Sequence, residues 1–405
     1  MLVQVFAATL LSLALSCQNI RLMAEDGSVV VGRSLEFSEV TVPASNSIVT
    51  EPAGKQYVMP RTENCDDPFA FTSEFDILRF KVMFDNEFAN STLGGINSEG
   101  MVASTLYFTG YAEFKDPASF KGKKCDKIVP QTKLSTYVLA KYSTVKQLKK
   151  DLKNKVFPKV WTQGDLGLES VPFHYVFHDV TGQSLVLEYT KNGMKYFDNT
   201  IGAMTNSPDF EWHMTNLMNY PTMQRTEFDG YKYHHKGQKQ ELKPKWVGTG
   251  FSGIPGDYSS PSRFVKAATM ASHSGKAEDA TQAVTRMIHM MNAADIPKGI
   301  LKAEGGLLKE EVVDYTWWIS VYDLSRKCVY YRGYDDLSVK RVCLDVPFFP
   351  TSPSCIDVEG GGHGFVDKTR ELKDMGDKEE YVTGSSASPT SVKHTFSTPS
   401  SSFSV

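Results

Sequence analysis

Apolar positions mark the chain from its first residues. Residues 1–16, MLVQVFAATLLSLALS, hold no charged side chain and end in small residues at Ala14 and Ser16. A dense apolar run closed by a small-x-small pattern is the signature of a secretory leader. Cleavage after Ser16 is expected, leaving Cys17 first. The run is short of the roughly 20 residues that cross a bilayer, and without Lys or Arg its start is weak for a leader. No later stretch reads as a span, so a soluble mature product is expected. From Cys17 onward the pattern changes. Ile20, Leu22, Val29 and Val31 flank Asp26-Gly27, and Asp-Gly between apolar runs predicts a β-hairpin. Residues 171–205 carry runs of Val, Phe, Tyr and Leu broken by Thr181-Gly182 and Asn192-Gly193, which predicts successive antiparallel strands. Helical spacing appears twice. Ser262 stands as the expected N-cap before Phe264, Val265 and Ala268. Within 277–292, Ala280, Val284, Met287, Ile288 and Met291 recur at helical spacing, the methionines as core filler. Trp317 to Leu344 predicts two strands about the turn Gly333-Tyr334-Asp335-Asp336. The pattern alone gives an α+β fold with many antiparallel strands.

Past residue 350 the pattern fades. Residues 359–364 read as a flexible joint, with His363 a linker residue. Asp367 to Glu380 reads as a short charged helix, and the Ser, Thr and Pro beyond Gly384 cannot bury enough apolar surface to fold. The expected organisation is a leader over 1–16, one domain over 17–350, and a largely disordered tail over 351–405. Asn90-Ser91-Thr92 forms a glycosylation sequon.

Charge excludes some partners. The 44 Lys and Arg nearly balance 47 Asp and Glu, and no basic stripe stands out, so neither nucleic acid nor an anionic membrane is expected. The six cysteines show no C-x-x-C spacing, which removes a zinc or redox motif. On a secretory route they would meet conditions in which disulfides persist. Cys328 and Cys343 lie equally far from the turn at 333–336 and are the expected pair. With Cys17 kept as a thiol five remain, so at least one other is unpaired.

A first-residue cysteine joins a thiol of pKa about 8.5 to an amine of pKa about 7.7–8.0. A nucleophile covalently attached to its own base is the chemistry of an N-terminal-nucleophile amide hydrolase. The hairpin folds Arg33 and Glu36 back toward Cys17. Arg33 would favour the thiolate, and Glu36 would hold the α-amino group or Arg33. Read singly, Cys17 is an ordinary half-cystine or cleavage-region residue, and Arg33 with Glu36 a surface ion pair.

The cysteine after the leader, the Asp-Gly hairpin and Gly32-Arg33-Ser34-Leu35-Glu36-Phe37 resemble the start of the choloylglycine hydrolase family. That family holds bile salt hydrolases, penicillin V acylases and related linear-amide hydrolases. Later segments agree in order: Gly94-Gly95-Ile96-Asn97-Ser98-Glu99-Gly100-Met101 and then Leu106-Tyr107; Val171-Pro172-Phe173-His174-Tyr175; Gly202-Ala203-Met204-Thr205-Asn206-Ser207-Pro208; Ser259-Ser260-Pro261-Ser262-Arg263-Phe264; Asp295-Ile296-Pro297-Lys298-Gly299; and Asp314-Tyr315-Thr316-Trp317-Trp318. The resemblance spans about residues 17–346. It implies a four-layer αββα N-terminal-nucleophile fold, two stacked antiparallel sheets between helical layers. It also implies that Asn206 donates its side-chain amide to the tetrahedral oxyanion, while Arg33 and Arg263 favour thiolate and developing charge. No metal or organic cofactor is implied; the partner is a small N-acyl amide, and a homodimer or homotetramer is expected. Two positions depart from the pattern. Many members carry Asp where this chain has Glu36. Bile salt hydrolases tend to Asn where it has Tyr107, penicillin V acylases to Tyr. As a substrate-binding residue Tyr107 leans the expectation toward a penicillin V acylase-like, N-acyl amide or acyl-homoserine lactone acylase. The alternatives are a conjugated bile salt hydrolase and an inactive secreted binding protein on the same fold. The compartment would be secreted or periplasmic. Specificity is expected in loops near 60–75 and 130–170, which carry no motif.

Overall fold

Asp26-Gly27 makes the first turn among the described residues. Gly27 sits at φ 86°, a left-handed conformation that costs a glycine little, and Asp26 accepts the Ser28 N–H. The turn joins β1 (Cys17–Met23) to β2 (Val29–Ser38), with Cys17 opposite Leu35 and Asn19 opposite Arg33. A computed structural model describes residues 16–374 apart from 39–44, 63, 66, 84–90, 164–170, 305–310, 348, 359–365 and 370–371. Further strands follow in order: β3 (Ser45–Glu51), β4 (Ile77–Met83), β5 (Gly94–Asn97), β6 (Val102–Tyr107), β7 (Phe173–His178), β8 (Ser184–Thr190), β9 (Gly193–Asp198), β10 (Ala203–Met204), β11 (Glu311–Asp323), β12 (Cys328–Gly333) and β13 (Lys340–Cys343). The helices that frame them are α1 (Leu134–Lys141), α2 (Val145–Lys153), α3 (Phe210–Leu217), α4 (Ser260–His273) and α5 (Ala280–Asn292).

Two sheets result. The first runs β10-β1-β2-β11-β12-β13, and the second β9-β8-β7-β6-β5-β4-β3. They face each other: Phe80 of β4 stacks on Trp318 of β11 at 4.4 Å between ring centroids, and His178 of β7 bonds Asn19 of β1. Helices α4 and α5 cover the outer face of the first sheet, and α1 that of the second. The order is therefore αββα, as the resemblance implies. Gly95 lets α1 approach closely; a Cβ there would stand 2.8 Å from the Leu78 carbonyl and 2.9 Å from Leu139. With both faces covered, β2 is buried from Val29 through Glu36. Its polar residues have no solvent face, so Arg33 and Glu36 must find partners inside.

Several sequence expectations change. The cap of α4 is Ser259, whose side chain accepts the Ser262 N–H; Ser262 already lies inside the helix. Residues 317–344 form three strands instead of two, because Leu324 to Lys327 makes a tight turn with Lys327 at φ 52° and no Gly, Pro, Asn or Asp within it. Cys328 and Cys343 are partners across β12 and β13 and form a disulfide. A second disulfide, Cys65–Cys125, anchors the loop near 60–75 to the segment before α1. Cys355 lies outside both, on a short strand. Where a charged helix was expected from Asp367, the described residues form strands Val366–Asp367 and Lys373–Asp374. With Ser354–Asp357 these extend both sheets past residue 350. The leader through residue 15, Asn90 of the sequon, the joint with His363, and everything after 374 lie outside the described residues. Among the described residues, no helix is long and apolar enough to cross a membrane.

Candidate active site

Cys17 opens β1 and is 3 % exposed. Its nitrogen donates to Asn206 Oδ1 at 2.6 Å, and its carbonyl accepts from Arg263 Nη1 at 2.6 Å. Arg263 Nη2 donates to the same Asn206 oxygen at 2.8 Å, while Nε donates to the Tyr258 carbonyl. The Asn206 Nδ2 donates to the Tyr107 carbonyl at 2.8 Å. Two donors on one side and an acceptor on the other fix which way this amide points. Each residue arrives by a local rule. Asn206 follows β10, the neighbour of β1, and His213 of α3 bonds its carbonyl. Arg263 lies in the first turns of α4, started by the Ser259 cap, and is buried. A cation there is unfavourable to the helix dipole; its fork instead ties Cys17 to Asn206.

Arg33 stands on the sulfur side. Its Nη2 lies 3.9 Å from Cys17 Sγ and also donates to the Thr105 carbonyl at 2.6 Å. The Trp318 ring lies 5.0 Å from the guanidinium carbon. Among the described residues, Arg33 donates its hydrogen bonds to carbonyls and sulfur and to no carboxylate. Burial pushes the Cys17 thiol up; Arg33 opposes this, Glu36 adds to it, and Arg263 and the Tyr107 N–H oppose it. The rise prevails, which disfavours the thiolate while Ser16 is attached.

While Ser16 is attached, Glu36 bonds neither the Cys17 nitrogen nor Arg33. Its Oε1 accepts from Thr316 Oγ1 at 3.2 Å, its backbone N–H donates to the Ser16 carbonyl at 2.9 Å, and Asn206 takes the nitrogen instead. The reason is strand alternation: Cys17 and Glu36 are not opposite one another, since Leu35 faces Cys17. Burial pushes the Glu36 carboxyl up to about 7 despite Arg263 nearby. Tyr107 sets its ring edge-on to Phe173, and burial raises its phenol to about 12. Cys17, Arg33, Asn206, Arg263 and Tyr107 thus converge, with Glu36 behind them. Asp314 joins this group without having been singled out. It is 3 % exposed, and burial followed by Glu36 pushes its carboxyl up to about 8. Its nearness depends on the β2–β11 register, which pairs Thr316 with Glu36 and Asp314 with Ser38; no local pattern carries that.

An αββα sandwich with a thiol at the head of a strand buried between the layers defines an N-terminal-nucleophile hydrolase fold. The chain belongs to the choloylglycine hydrolase family of linear amide C–N hydrolases, whose family profile matches residues 17–355, beginning at Cys17. The bile salt hydrolase/transferase of Clostridium perfringens is 26 % identical over 331 residues, covering 81 % of this chain and 92 % of that one. In structure, a mutant of conjugated bile acid hydrolase from Clostridium perfringens superposes with TM-score 0.68 at 23 % identity, over 86 % of this chain and 98 % of that one. Penicillin V acylase from Agrobacterium tumefaciens superposes with TM-score 0.65 at 18 % identity, over 88 % and 97 %. The protein is a linear amide C–N hydrolase.

Proposed function

We propose that residues 1–16 are removed, that the secreted or periplasmic product begins at Cys17, and that Cys17 is the nucleophile. The observation that carries this is the hold on the Cys17 nitrogen by Asn206, itself held by Arg263. Freed from Ser16, that nitrogen is an amine fixed beside its own sulfur. It takes the thiol proton, and the sulfur attacks the amide carbon. The amine then returns the proton to the leaving nitrogen, and water cleaves the thioester with the same base; such transfers contribute about 10²–10⁴-fold. Asn206 has one Nδ2 hydrogen left for the oxyanion, and the Tyr107 N–H faces the sulfur. Arg33 favours the thiolate at 3.9 Å.

The substrate we favour is an N-acyl amide with an apolar or aromatic acyl group, of the penicillin V or acyl-homoserine lactone kind. Tyr107 with Phe173, and Phe37 edge-on to Trp317, supply aromatic surface on strands that reach the thiol. The second reading is a conjugated bile salt hydrolase, favoured by the naming of the Clostridium relative. Penicillin V, acyl-homoserine lactones and glycine- or taurine-conjugated bile salts should be assayed with wild type and Cys17→Ala. Wild-type cleavage of the first two classes, abolished in the variant, is the expected result. Cleavage of bile salts alone selects the second reading, and cleavage of none rejects both substrate assignments.

A further inference from the structure

Ser16, the residue before the nucleophile, is 7 % exposed and seated among acids. Its carbonyl accepts the Glu36 N–H at 2.9 Å, and its side chain lies beside the Asp314 carboxyl, favouring the charged form. The strands explain the grouping. Thr316 is the partner of Glu36, and Asp314 is two residues along the same strand, so both share its face. Glu36 Oε2 and both carboxylate oxygens of Asp314 make no full hydrogen bond to a described residue, although both residues are buried. Two buried carboxyl groups with unused acceptors, flanking the atoms that leave on maturation, form a ready place for a cation. The Arg263 guanidinium already lies near both and is committed to Cys17, Asn206 and Tyr258.

Maturation creates a cation one bond from this place. We propose that Asp314 is a positioning residue of the mature enzyme, its carboxylate taking a hydrogen bond from the Cys17 α-amino group, directly or through one water, where Ser16 sat. This deepens the proposed function and rests on Cys17 being the first residue. Asn206 Oδ1 and Asp314 then hold the amine between them, aiming its remaining lone pair at the thiol. The charged and titratable groups facing the amine are Cys17 itself, Arg33 and Glu36 from β2, Arg263 from α4 with Asp257 before it, His213 behind Asn206, and Asp314 from β11. Loss of the Asp314 charge disfavours the ammonium and eases formation of the thiolate. Both effects move titration of the amine–thiol pair to lower pH.

The test uses the exported full-length product. Mass spectrometry defines its first residue, and iodoacetamide alkylation of Cys17 is timed from about pH 5 to 9, with the pH profile of amide hydrolysis alongside. For Asp314→Asn the alkylation midpoint should fall by about one pH unit, and the acid limb of hydrolysis should follow. Asp314→Glu, which keeps the charge, should restore the midpoint toward wild type and serves if the Asn variant folds poorly. A merely structural role changes rates at all pH values and leaves the Asp314→Asn midpoint in place; that result, or an Asp314→Glu midpoint about one unit below wild type, overturns the proposal alone. A product that begins elsewhere than Cys17 overturns this proposal and the proposed function together.

Discussion

Asn206 Oδ1 accepts the Cys17 nitrogen at 2.6 Å, so the amide bridges the two strands that bring the site together. Arg263 shares that oxygen and Tyr107 takes the amide nitrogen. On the proposed mechanism, removing the side chain frees the Cys17 nitrogen and deletes an oxyanion donor at once. Asn206→Ala should lower kcat by about 10²–10³-fold, with the Cys17 first residue still produced. Steady-state kinetics on whichever amide the wild type cleaves, beside mass spectrometry of the N-terminus, checks this.

Arg263 acts through its fork. Nη1 holds the Cys17 carbonyl and Nη2 holds Asn206, a pair of contacts that one ammonium cannot reproduce. Arg263→Lys keeps the charge and loses the geometry. It should cost on the order of 10²-fold in kcat, the scale of a misplaced reacting group. Near wild-type turnover would show that only the charge matters.

The acids behind the site make stability depend on pH. With Ser16 attached, Glu36 and Asp314 are pushed up to about 7 and about 8. The folded chain therefore binds more protons than the unfolded one from the ordinary carboxylate range up to these values, and stability falls as pH rises through it. His213, pushed down to about 4, acts in the opposite sense only below its ordinary value near 6.5. Between about pH 6.5 and 8 the acids act without it. Chain that keeps residues 1–16 should show a falling Tm across that window, and Asp314→Asn should flatten the fall. A Tm rising across the window contradicts the assignment.

Packing on the second sheet allows a sharp stability test. A methyl group at Gly95 would meet the Leu78 carbonyl oxygen at 2.8 Å, and a backbone atom cannot swing aside. Gly95→Ala should destabilise by about 1–3 kcal/mol, read by urea denaturation of a Cys17→Ala background. The Cys328–Cys343 disulfide closes a loop with a separation of 15 residues; replacing both cysteines by serine should cost about 3 kcal/mol.

How much of this the sequence disclosed depends on how far each interaction reaches. The Asp26-Gly27 hairpin, the helical stripe of α5 and the Cys328–Cys343 pair are local, and local patterns revealed them. Ser262 reads as the cap in the sequence because three serines and a proline crowd residues 259–262, and only backbone geometry separates Ser259 from the rest. The Cys65–Cys125 disulfide and the strands past 350 depend on contacts between distant segments, which periodicity does not encode. The site divides in the same way. Arg33 lies near Cys17 because one hairpin joins them. Asn206, Arg263 and Tyr107 came from resemblance, and Asp314 needed the register of two strands distant in sequence.

The most direct test of the account traps the enzyme in mid-reaction. The purified protein is quenched with acid during turnover of a cleaved amide and mapped by mass spectrometry. The account predicts a chain beginning at Cys17 with the acyl group in thioester linkage to that sulfur. Turnover by a chain that begins at another residue, or with the acyl group on another side chain, would contradict it.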